Sequence, residues 1–186
     1  MTDIRPFRGI HYKQEILKHW TDVICPVYDI ISPQQQAELY LKNEFNFVRL
    51  EFSRELPQDT EVDNRYTRAR GTLEQWLKQG VTVTDPSPAV YIHDHYFTYR
   101  GKEYKRRNLI VRVRVEEWEN MVVRPHEGTM NKPKADRLNL LWTLQANTSS
   151  IMALYEDPHR QINQVIAAAE RRTPLLYLQK AGDESQ

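Results

Sequence analysis

AVYIHDHYFTYRGKEYKRRNLIVRVRV, from Ala89 to Val115, is the stretch that decides the fold class. β-branched and aromatic residues fill both halves, and Arg100-Gly101-Lys102 separates them, with Gly101 supplying a tight turn. The pattern predicts an antiparallel hairpin with arms Ala89 to Tyr99 and Tyr104 to Val115. In the second arm Val111, Val113 and Val115 alternate with Arg112 and Arg114, placing valines on one face and arginines on the other. Helices are expected on either side. Ser32-Pro33-Gln34-Gln35 reads as a capping box with proline at the first helical position, opening a helix that runs to about Lys42. After Asp59-Thr60, the residues Val62, Tyr66, Ala69, Leu73 and Leu77 recur at helical spacing until Gly80 closes the run. A third helix is expected near Pro133, with Leu138, Leu141 and Trp142 facing inward. A fourth begins at Asp157-Pro158 and buries Ile162, Val165, Ile166 and Ala169. Phe47 to Phe52 alternates like a short strand, and Ile151 to Tyr155 and Leu175 to Tyr177 are weaker strand candidates. Together these predict one α+β domain over residues 1–179, a central antiparallel hairpin or sheet flanked by about four helices, and a disordered tail over 180–186.

Composition narrows the function classes. The chain has 186 residues, of which 40% are hydrophobic and 27% charged, an ordinary balance for a globular protein. Lys and Arg total 26 against 25 Asp and Glu, so no global field draws nucleic acid or an anionic membrane. Cys25 is the single cysteine, which excludes an intramolecular disulfide and a cysteine-rich zinc cluster and suits a reducing cytosol. The N-terminus, MTDIRPFRGIHY, lacks the apolar core of a signal peptide, and no run reaches the length of a membrane span. The expectation is a cytoplasmic protein without a membrane partner.

Chemistry concentrates in RPHEGTMNKPKADR, Arg124 to Arg137. His126 exchanges protons near neutrality and suits a general acid or base, and Glu127 can orient it or hold a divalent ion such as Mg2+. No second histidine follows at the spacing of a zinc-protease helix. Thr129, Lys132, Lys134 and Arg137 surround the expected start of the third helix, where free N–H groups already favour a phosphate or carboxylate. The plainer alternative is a solvated first turn in which Asp136 pairs with Lys132 or Arg137. A second loop, Cys25-Pro26-Val27-Tyr28-Asp29, offers Tyr28 for substrate binding and Asp29 to bind a metal, accept a hydroxyl proton or simply brace its own turn. His93 and His95 share a strand face, a weak metal pattern without a third ligand. Lys102, Lys105, Arg106, Arg107, Arg112 and Arg114 make the hairpin locally basic among Tyr96, Phe97, Tyr99 and Tyr104. Glu103, Glu116, Glu117 and Glu119 lie close by and weigh against nucleic acid, in favour of a solvated sheet face.

Several ordered segments resemble one family: IRPFRGIHY from Ile4, VICPVYDIISP from Val23, FNFVRLEF from Phe45, RYTRARGTLEQWLKQGVTVTD from Arg65, PHEGTMNKPKADRLNLL from Pro125 and IMALYEDP from Ile151. In this order they resemble the conserved prokaryotic proteins of domain of unknown function 1015. Val27 stands where that family usually carries a second proline, and His93 and His95 have no fixed counterpart. Family members tend to be longer, so the resemblance implies a short or truncated member. Some lie near serine-biosynthesis genes, which implies amino-acid or phospho-amino-acid metabolism.

The reading that follows is an enzyme of the phosphotransferase kind acting on a small anionic metabolite, phosphorylated or carboxylated. His126, Glu127 and Asp29 are its expected catalytic residues, and Thr129, Lys132, Lys134, Arg137 and Tyr28 its substrate-binding residues. The rivals are a non-catalytic anion-sensing or protein-interaction domain and nucleic-acid binding through the basic hairpin.

Overall fold

A computed structural model describes residues 2–17, 19–125, 128, 131–169 and 173–178, with residues 131 and 132 described by backbone alone. The expected tail over 180–186 lies outside the described residues, as do His126, Glu127 and Thr129. Helices and short antiparallel strand pairs mix along the chain, an α+β arrangement. The chain divides into two compact units, Met1–Val90 with Val111–Ser150, and Tyr91–Ile110 with Ile151–Gln186. Among the described residues no helix is long and apolar enough to cross a membrane.

In the first unit, β1 (Ile4–Arg5) and β2 (Ile10–Tyr12) precede α1 (Pro33–Lys42), α2 (Val48–Glu51), α3 (Arg65–Gln79) and β3 (Thr82–Thr84). The capping box of α1 forms as expected: the Gln35 amide donates to Ser32 Oγ at 3.2 Å and the Ser32 amide to Gln35 Oε1 at 2.9 Å. α3 starts later than the apolar spacing predicts. Asn64 caps it by accepting from the Tyr66 and Thr67 amides, so Val62 lies before the helix and is 84% exposed. Gly80 closes it at φ +72°, where a side chain would be strained. Leu50, Ala69, Leu73, Trp76 and Val81 form the core with Leu140 and Leu144 of α4 (Asn131–Leu144).

Two expectations in this unit are corrected. Phe47 to Phe52 is not a strand but contains the single-turn α2, because buried Asn46 ties the start of that turn to the Asp22–Ile24 segment. Asn46 Nδ2 donates to the Asp22 and Ile24 carbonyls, and the Val48 amide donates to Asn46 Oδ1. In α4 the inward residues are Leu140 and Leu144, while Leu138, Leu141 and Trp142 are exposed. The face toward the core continues through the charged Asp136 and Arg137, so an apolar stripe alone pointed the helix the wrong way.

The second unit holds β4 (Tyr91–Tyr99), β5 (Lys102–Ile110) and α5 (Gln161–Ala169). The hairpin forms with both turn residues left-handed, Arg100 at φ +51° and Gly101 at φ +73°, and with Tyr99 opposite Lys102. Its second arm ends earlier than expected. Arg112 and Val113 form a separate strand, β6, which belongs with its ladder partner β1 to the first unit. Asp157 caps α5, accepting from the Ile162 and Asn163 amides. Ile166 is buried there, but Val165 is 75% exposed. Residues 151–155 and 175–177 contain no strand.

Candidate functional site

The amino half of α4, the end of α2 and the single-turn helix Tyr28–Ile30 converge in the first unit. Arg137 is the residue that joins them. Its guanidinium lies 3.8 Å from the Tyr28 ring centroid, donates to the Glu51 carbonyl at 3.2 Å and to Glu51 Oε1 at 3.3 Å, and reaches Asp136 Oδ2 at 2.6 Å. Asp136 also accepts from Arg65 and from the Tyr66 hydroxyl, the latter at 2.9 Å. Burial opposes its charge, but hydrogen bonds from Arg137 and Tyr66 and the charges of Arg137 and Arg65 hold its carboxyl below the usual range. Two guanidiniums and two carboxylates thus balance in one cluster.

Glu51 is the least accessible of these groups, at 3% exposure. Ser149 Oγ donates to its Oε1, while its Oε2 is buried with no hydrogen-bond partner among the described residues. A cavity of about 10 Å3, room for a single water, is walled by Glu51, Ser53, Arg65, Tyr66 and Arg137. Burial, with the Glu51 charge added, pushes the Cys25 thiol up to about 12.

Of the residues singled out from sequence, Tyr28 and Arg137 are brought into contact, and Asp29 is carried beside them on the same helical turn, exposed. Lys134 lies in the first turn of α4, also exposed, and neither it nor Asp29 has a hydrogen-bond or ionic partner among the described residues. His126, Glu127, Thr129 and the Lys132 side chain lie outside the described residues. Among the described residues no group of three or more His, Cys, Asp or Glu can hold a metal. His93 and His95 stack on each other at 6.4 Å.

The sequence reading passed over Glu51, Arg65 and Tyr66. Glu51 occupies a polar position of the alternating run Phe47 to Phe52, Tyr66 an apolar-spaced position of the helix expected after Asp59-Thr60, and Arg65 its polar neighbour. Nothing local marks Glu51, since Arg49 in the same turn is charged as well.

A larger cavity of about 180 Å3 lies elsewhere in the unit, bounded by His11, Phe47, Leu73, Thr82, Leu144 and Asn147. His11 Nε2 is 3.0 Å from Asp85 Oδ1, and the buried Thr82 hydroxyl has no partner among the described residues.

Residues 4–186 match a family described as "Protein of unknown function (DUF1015)". No curated protein and no solved structure matches the chain.

Proposed function

The chain belongs to the DUF1015 family, matched over residues 4–186, and on that premise we propose that it is an enzyme transferring a phosphoryl group to or from a small phosphorylated or carboxylated metabolite. The observation that carries this reading is the stacking of Arg137 on Tyr28, which puts the Asp29 loop and the first turns of α4 in one place. Lys134 supplies an exposed cation at a helix start, where an anion is already favoured. Asp29 supplies an exposed carboxylate to take a hydroxyl proton or to share a divalent ion with Glu127. His126 acts as general base, and Thr129 and Lys132 complete the phosphate clamp. Arg137, already bonded to Glu51 and Asp136, positions the loop through Tyr28 and leaves the anion to the lysines.

A second reading uses the same exposed Lys134 at the start of α4 as an anion sensor without turnover. Both readings are tested by thermal unfolding with nucleotides, pyrophosphate, serine, phosphoserine and divalent ions. A ligand at 100 times its dissociation constant stabilises by about 2.7 kcal/mol, a shift of roughly 5–10 °C. A shift with a phosphorylated compound that Lys134→Ala removes supports the site, and product formation then separates enzyme from sensor. A flat panel in the wild type, or a shift untouched by Lys134→Ala and Asp29→Ala, sinks both.

A further inference from the structure

The two faces of the β4–β5 ribbon differ in a way that composition hides. Antiparallel register places directly opposed residues on the same face. His93 faces Asn108, His95 faces Arg106, Phe97 faces Tyr104 and Tyr99 faces Lys102, so one face carries rings and cations with no carboxylate. Both carboxylates of the ribbon, Asp94 and Glu103, fall on the opposite face, where Asp94 binds Arg107 at 2.6 Å and Lys105 at 3.1 Å. The carboxylates that weighed against nucleic acid therefore neutralise the other side, or lie beyond the hairpin. Arg112 and Arg114 also lie beyond it.

On the carboxylate-free face the rings run as a ladder. His93 to His95 is 6.4 Å, His95 to Phe97 5.4 Å, Phe97 to Tyr104 5.7 Å and Tyr104 to Tyr99 6.4 Å between centroids. Phe97, Tyr99 and Tyr104 are 39%, 55% and 41% exposed, surface that an aromatic ladder does not leave in water without cost. Arg106 donates to His95 Nδ1 and Lys102 sits 5.6 Å over the Tyr104 ring, so each cation is held at the edge of the ladder. Neither has a carboxylate partner among the described residues.

We infer that this face of the β4–β5 ribbon binds single-stranded nucleic acid, with bases stacking on His95, Phe97, Tyr99 and Tyr104 and phosphates meeting Lys102 and Arg106. Unpaired bases expose the π faces that such rings accept, whereas a duplex keeps them internal. The inference is independent of the phosphotransfer reading and uses none of its residues.

The test is fluorescence anisotropy of the full chain with fluorescein-labelled oligothymidylate and oligouridylate, a duplex of equal length, and polyglutamate as competitor. Single strands are expected to bind, and to weaken by about tenfold or less from 50 to 200 mM salt, because two cations release few counterions. Phe97→Ala and Tyr104→Ala should each weaken binding by about fivefold or more, and Tyr96→Ala on the opposite face should not. Phe97→Leu keeps apolar bulk but loses the ring, so its loss of binding with unchanged melting separates stacking from folding. Absence of single-strand binding at 50 mM salt overturns the inference. So does duplex binding as tight as single-strand binding, equal displacement by polyglutamate, or equal loss in Tyr96→Ala.

Discussion

Asp136 stands between two guanidiniums and a phenol, and its carboxylate is the group that lets Arg65 and Arg137 approach each other. Asp136→Asn removes the charge and keeps the shape. Charge-assisted hydrogen bonds contribute about 1.5–3 kcal/mol each, so we expect a loss of about 2–3 kcal/mol, read as a lower urea midpoint at pH 7. Because the folded carboxyl titrates below its ordinary value, this stabilisation is present above the unfolded carboxylate range and fades as pH falls through the lowered folded value. The gap between wild type and variant should therefore narrow from pH 7 toward pH 3. A gap that stayed constant would mean that the charge contributes nothing. Of the residues in this cluster, Arg137 was visible in the sequence through its place in a charged loop. Asp136 entered only as a partner for it. Glu51, Arg65 and Tyr66 were not visible, since their roles arise from contacts across 70 or more positions that no local pattern encodes.

Elements with their own chemical punctuation were legible: α1 through its serine and proline, the hairpin through its glycine, α5 through Asp157. α2 was not, because six residues of alternating character fit one helical turn as well as a strand. What decides it is Asn46, wholly buried, whose side chain ties the Asp22 and Ile24 carbonyls to the Val48 amide. Asn46→Ala removes the partner of the buried Val48 amide and of the Asp22 and Ile24 carbonyls. With about 1 kcal/mol for each of the three bonds, the variant should lose about 3 kcal/mol. An unchanged urea midpoint would show that water replaces the amide freely. The orientation of α4 is hidden for a related reason: its inward face passes from apolar Leu144 and Leu140 to charged Arg137 and Asp136.

Across the whole molecule, buried apolar side chains are unevenly shared. The first unit holds the core around α3, whereas among the described residues Ile166 is the one buried hydrophobic side chain of the second. A two-stranded ribbon without a deep core is marginal by itself. Amides of Leu73 and Trp76 should exchange hydrogen only through extensive opening, and those of Phe97 and Tyr104, a hydrogen-bonded pair of the ribbon, at least about tenfold faster. Equal protection in both units would contradict this. The quiet chemistry of Cys25 also has a practical side. Its thiol is the only one in the chain and is held up to about 12, so at neutral pH almost none of it is thiolate. A new cysteine on the surface, such as Thr98→Cys on the ribbon, would react with a maleimide dye while the native thiol stays silent. The protein thus accepts a single fluorophore, at a place of the experimenter's choosing, with no residue of its own removed first.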